Sequence, residues 1–117
     1  MAVGAQLTEN MVVQLHLRDA ATATADLVEV LARAEASTTC QRPGGALLFA
    51  CVGRGEGLFG EPNHESRRFA ERFADVPVVC FFCNGEIGPV QGRTLQRSPG
   101  MTYLHGYTSA FGLLGAR

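Results

Sequence analysis

Two short runs constrain this chain more than any other feature. "ALLFACV" at 46–52 and "VVCFFC" at 78–83 are apolar at odd and even positions alike. Both are short, and glycine or proline flanks them. A strand points successive side chains to opposite faces, so a run that is apolar throughout needs cover on both. These two runs therefore predict interior strands of a sheet, and the rest of the chain must supply the cover.

Helical cover comes from two segments. In "RDAATATADLVEVLARAEAS", Leu27, Val28, Leu31 and Ala34 form one helical stripe. Asp26 and Glu29 come early and Arg33 late, as the helix dipole favours, and Thr22 or Thr24 is the candidate N-cap. A second helix is predicted from about His64 to Phe73, with Asn63 as its cap and Phe69 and Phe73 toward the sheet. Ahead of the first helix, "MVVQLHL" at 11–17 alternates, with Val13, Leu15 and Leu17 on one face and Gln14 and His16 on the other. That pattern predicts a strand with one covered face.

"RPGG" at 42–45 is a loop, and Pro77 opens the strand at 78–83. Asn84-Gly85 predicts a hairpin, with a return segment through Ile87 and Val90. A polar loop, "QRSPG", then leads to "TYLHGYTSAF". The order gives an α+β fold: a mixed β-sheet with about two helices packed on one face. Two helices cover one face of a small sheet and hardly both. The other face is expected to be covered by a partner, either another domain or a second copy.

A chain of 117 residues is one domain, 1–117. Its net charge of -1, with no basic stripe, argues against a nucleic-acid partner. All ten basic residues are Arg and none is Lys, which fits the coding bias of a GC-rich genome. The N-terminus shows no signal peptide, and no apolar run approaches the ~18 residues that span a bilayer. The expected location is cytoplasmic, without membrane insertion, and there the four cysteines are thiols.

The candidate chemistry starts with those thiols. Cys80-x2-Cys83 has the spacing of half a zinc site, but Cys40 and Cys51 form no second half and His16, His64 and His105 are scattered. Positions i and i+3 of a strand also face opposite ways, so no metal site and no cofactor are expected. A redox C-x-x-C needs a following helix N-terminus, and none follows. A cysteine-dependent enzyme would use Cys83 or Cys51 with His105, His64 or Glu86, which is an alternative function. "GRGEG" lacks the lysine and spacing of a phosphate loop, and its ordinary role is a turn-rich connection.

Binding without catalysis accounts for more of the chain. Polar residues follow apolar strands at three points: Arg54, then Asn84 and Glu86, then His105 and Thr108. Apolar walls with a few convergent polar groups describe a small-molecule pocket. Arg54 is the candidate partner for a carboxylate and Glu86 for an ammonium, with Asn84, His105 and Thr108 completing the set. An amino acid would fit that charge pattern.

"ALLFACVGRGEGLFGEPNHES", "VPVVCFFCNGEIGPVQGRT", "YLHGYTSAF" and "VVQLHLRDAATATADL" together resemble the C-terminal domain of the FIST family, F-box and intracellular signal transduction. The resemblance implies a sensory module of bacterial signalling proteins that binds small ligands, amino acids among them, without enzymatic activity. It also implies a preceding FIST N-terminal domain, which is not seen in this sequence. That domain, or self-association, is the expected cover for the open sheet face. A protein-interaction module without a ligand is the other alternative. Cys80 stands where the family is expected to carry a small residue, and "LQRSPGM" at 95–101 reads as an insertion.

Overall fold

The computed structural model describes residues 6–15, 17–37, 42–89 and 102–115. Helix α1, Ala20–Ala36, starts at Asp19, whose extended backbone places its carboxylate over the first turn. Asp19 Oδ1 accepts the Thr22 N–H at 2.9 Å and Oδ2 accepts the Thr22 hydroxyl at 2.7 Å. Neither Thr22 nor Thr24 is the cap. Thr22 donates to it, and Thr24 sits a turn later, donating to the Ala20 carbonyl. A carboxylate has two charged acceptor oxygens and takes one donor on each, whereas a hydroxyl offers a single neutral oxygen.

Strand β1, Gly45–Cys51, is followed by a one-turn helix α2, Glu56–Phe59, and by α3, His64–Arg72. The short helix was not legible beforehand, because four residues carry no periodicity. Strand β2 is Val78–Cys83, β3 Glu86–Gly88, β4 Tyr103–His105 and β5 Ser109–Leu114. The mixed sheet runs β2-β1-β5, with β2 parallel and β5 antiparallel to β1. A second, two-stranded sheet joins β3 to β4.

Register decides which side chains share a face. Ala46 and Leu48 of β1 lie beside Val78 of β2 and beside Leu113 and Phe111 of β5. This face meets the helices. Leu27 and Leu31 of α1 and Phe69 and Phe73 of α3 close over it with Val76. Phe69 is fully buried, stacking on Phe73 at 4.8 Å and on Phe111 at 5.5 Å. A buried aromatic of that kind contributes most of its transfer energy to the core, and its truncation costs about 3–5 kcal/mol.

Among the described residues the opposite face is left largely open. Phe49 and Phe81 meet edge to face there at 4.8 Å, and Val79, Phe81 and Leu114 remain exposed. Three expectations need correction. Among the described residues the run at 78–83 is an edge strand, with β1 alone flanked on both sides. Its double-sided apolarity therefore leaves Val79 and Phe82 in the open.

The alternating run at 11–17 forms no strand over its described residues, and Val12, Leu15 and Leu17 are exposed. Alternation marks the face a strand would bury, but a strand also needs a neighbour to complete its backbone hydrogen bonds. Finally, Asn84-Gly85 does not fold β3 back onto β2. Gly85 has φ +127° while Asn84 stays out of the left-handed region, so the type I′ turn is not made and β3 pairs with β4 instead. His16, Cys40, Val90 and the segment 95–101 lie outside the described residues.

Candidate functional site

The carboxyl end of β1, the start of β5 and the β3–β4 pair meet at one place. Gly53 and Gly55 permit that approach. A Cβ on Gly53 would lie 2.7 Å from the Arg18 guanidinium, and one on Gly55, whose φ is +68°, would lie 2.8 Å from the Phe82 ring. The glycine-rich "GRGEG" is thus a close-packing device. Arg18 donates to the Gly53 carbonyl at 2.8 Å and covers the Tyr107 ring at 4.6 Å.

Behind this loop lies a buried ion pair. Arg54 presents Nε at 2.9 Å and Nη2 at 2.8 Å to Glu65 Oε1, and its Nη1 donates to the Tyr107 carbonyl. Both side chains are nearly sealed from solvent, and the Ser109 hydroxyl also donates to Glu65 Oε1. Glu65 was missed from the sequence. The signal was its place on the stripe Glu65, Phe69, Phe73, four residues apart on the buried face of α3. A carboxylate in an apolar stripe marks a buried charge that needs a partner.

Glu86 is 1% exposed. Its Oε2 accepts the Thr108 hydroxyl at 2.8 Å and the Thr108 N–H at 3.3 Å, while Oε1 accepts the Cys83 thiol at 3.5 Å. All three donors are neutral. Burial pushes the Cys83 thiol up from its ordinary pKa, and the hydrogen bond to Glu86 raises it further. A thiol so placed is a poor thiolate, which weighs against the cysteine nucleophile. Among the described residues no three potential ligands gather for a metal.

A groove of about 800 Å³ opens beside this cluster, between α1 and β5, with the end of β3 on its rim. Leu27, Leu31, Phe73, Phe111 and Leu113 give it apolar walls. Arg54, His105, Thr108 and Ser109 supply polar groups on the side of β4 and β5, and Asp26, Arg33 and Ser37 on the side of α1. Of the five residues expected at a site, Arg54, His105 and Thr108 line this groove. Glu86 sits behind Thr108, bonded to it, and pairs across the small sheet with His105. Asn84 is exposed at the end of β2 and does not line it. The direct contacts imagined for Arg54 and Glu86 are taken: Glu65 holds the guanidinium, and Glu86 is enclosed.

A family model for the FIST C domain matches residues 1–89. The chain belongs to the FIST C domain family, a class of signal-transduction domain. It is similar to an uncharacterized protein of Mycobacterium bovis, 40% identical over 100 residues, covering 86% of this chain and 24% of that protein. An uncharacterized protein of Mycobacterium tuberculosis is 35% identical over 113 residues, covering 97% and 27%. An F-box/LRR-repeat protein of Arabidopsis thaliana is 38% identical over 69 residues, covering 54% and 13%. This FIST C domain thus spans about a quarter of the length of its mycobacterial relatives. No helix among its described residues is long and apolar enough to cross a membrane.

Proposed function

We propose that this FIST C domain binds a small amphipathic ligand in the groove between α1 and β5, as a sensory element without catalysis of its own. One observation supports the reading above the rest: apolar walls with a few polar groups among them, the arrangement of small-molecule sites. Arg54, His105 and Thr108 are among those polar groups, and Glu86 braces Thr108 from behind. Membership in a signal-transduction family gives such binding a purpose, since a ligand held between a helix and a sheet edge biases their relative placement.

Calorimetric titration with leucine, norleucine and the corresponding amines and acids tests the reading. A Val30→Trp variant, which fills the groove from α1, serves as the control. At least one compound is expected to bind the wild type and to lose affinity at least tenfold in the variant. A panel silent on the wild type, or binding that Val30→Trp leaves unchanged, removes the groove from consideration.

A second reading rests on the open sheet face, where Val79, Phe81 and Leu114 are exposed together. Protein interaction through that face, with a FIST N-terminal domain or a second copy, requires no ligand and is compatible with the first.

A further inference from the structure

The groove's proton inventory specifies the head group it accepts. Thr108 has one hydroxyl proton and donates it to Glu86. Ser109 likewise donates its proton to Glu65. His105 Nε2 lies 2.9 Å from the Gly88 carbonyl, an acceptor only, so Nε2 donates there, and an imidazole that carries its single proton on Nε2 has an acceptor at Nδ1. Arg54 directs Nε and Nη2 at Glu65 and Nη1 at the Tyr107 carbonyl, and Glu65 cancels its charge. Beside β4 and β5, Thr108, Ser109 and His105 have thus each given a proton to the protein, and these three groups meet a ligand as acceptors.

Charge points the same way. Of the two cations on the lining, Arg54 is neutralised by Glu65 and Arg33 is paired with Glu29 at 3.6 Å. Asp26, also on the lining, makes no ion pair among the described residues. Glu86 behind Thr108 has neutral partners only. The one charged lining residue without an ion-pair partner among the described residues is therefore acidic.

Resting on the groove reading, we infer that the ligand is a primary amine or similar cationic donor with an apolar body, and that a carboxylate is selected against. An ammonium brings three donors and a positive charge to a ring of lone pairs. A carboxylate brings lone pairs to lone pairs and loses its hydration without replacement, which is the usual basis for rejecting a ligand. The same accounting ranks a free amino acid below the amine that shares its side chain.

Hexylamine, hexanoate and norleucine carry similar chains with different heads. Calorimetry of the three against the intact chain at neutral pH and low salt is expected to give hexylamine an affinity at least tenfold above hexanoate, with norleucine between. Added salt, and the exposed Asp26→Asn substitution, are each expected to weaken hexylamine several-fold. Hexanoate matching hexylamine, norleucine exceeding it, or an amine affinity unmoved by both salt and Asp26→Asn overturns the inference while leaving a groove that binds ligands. Silence from all three removes the groove reading and this inference with it.

Discussion

Arg54 looks in the sequence like a free guanidinium after a strand, and in the fold it is half of a buried pair. Removing one member of such a pair leaves an uncompensated charge in a low-dielectric site, at a cost of about 3–5 kcal/mol. Arg54→Met is therefore expected to lower the free energy of unfolding by that amount in urea titrations. Arg54→Met/Glu65→Leu should recover much of it. A single variant as stable as the wild type would mean the pair is solvated.

Cys83 carries a second residue-scale consequence. With its thiol raised by burial and then by Glu86, iodoacetamide at neutral pH is expected to label it well below the rate of a free thiol, and Glu86→Gln to speed the labelling. Peptide mapping that finds Cys83 alkylated as fast as a model thiol would revive thiol chemistry here.

At the scale of elements, the cap of α1 makes the clearest prediction. The Asp19 pKa is lowered first by the Thr22 backbone N–H and then by the Thr22 hydroxyl. A carboxylate whose folded pKa lies below its unfolded value adds stability above the unfolded value, near 4, and loses it as pH falls through the folded one. Asp19→Ala should thus lower the melting midpoint at pH 7, with the gap from wild type closing below about pH 4. A gap that persists in acid would assign the effect to something other than the carboxylate.

Which elements were legible follows from where their information lies. Helices α1 and α3 and strands β1 and β2 announce themselves locally, through a 3.6-residue stripe or an unbroken apolar run. Pairing is not local. The sequence places Val78 to Cys83 in a strand but does not say that it ends the sheet. It gives Val13, Leu15 and Leu17 a common face without a neighbouring strand. Asn84-Gly85 names a turn whose partner is chosen by β4, many residues downstream. The site divided the same way: Arg54, His105 and Thr108 were visible as polar residues after apolar runs. Glu65 and Ser109 became meaningful only once α3 and β5 were seen side by side.

For the whole molecule, one covered face and one open face set the behaviour in solution. Val79 and Phe81 beside Leu114 leave apolar surface for which the described residues provide no cover. The isolated chain is expected to self-associate in sedimentation experiments as concentration rises, and Phe81→Glu to hold it monomeric. Association unaffected by that substitution would place the contact elsewhere.

The proposed ligand groove lies apart from that apolar surface, along α1 and the edge strand β5. Amide chemical shifts recorded while hexylamine is titrated into the labelled chain test it directly. The groove predicts that residues 107–111, which lead into β5, and 27–31 of α1 move together and saturably, while Leu47, Phe49, Val79 and Phe81 stay still. Shifts confined to Leu47, Phe49, Val79 and Phe81, or no saturable shifts anywhere, would contradict it.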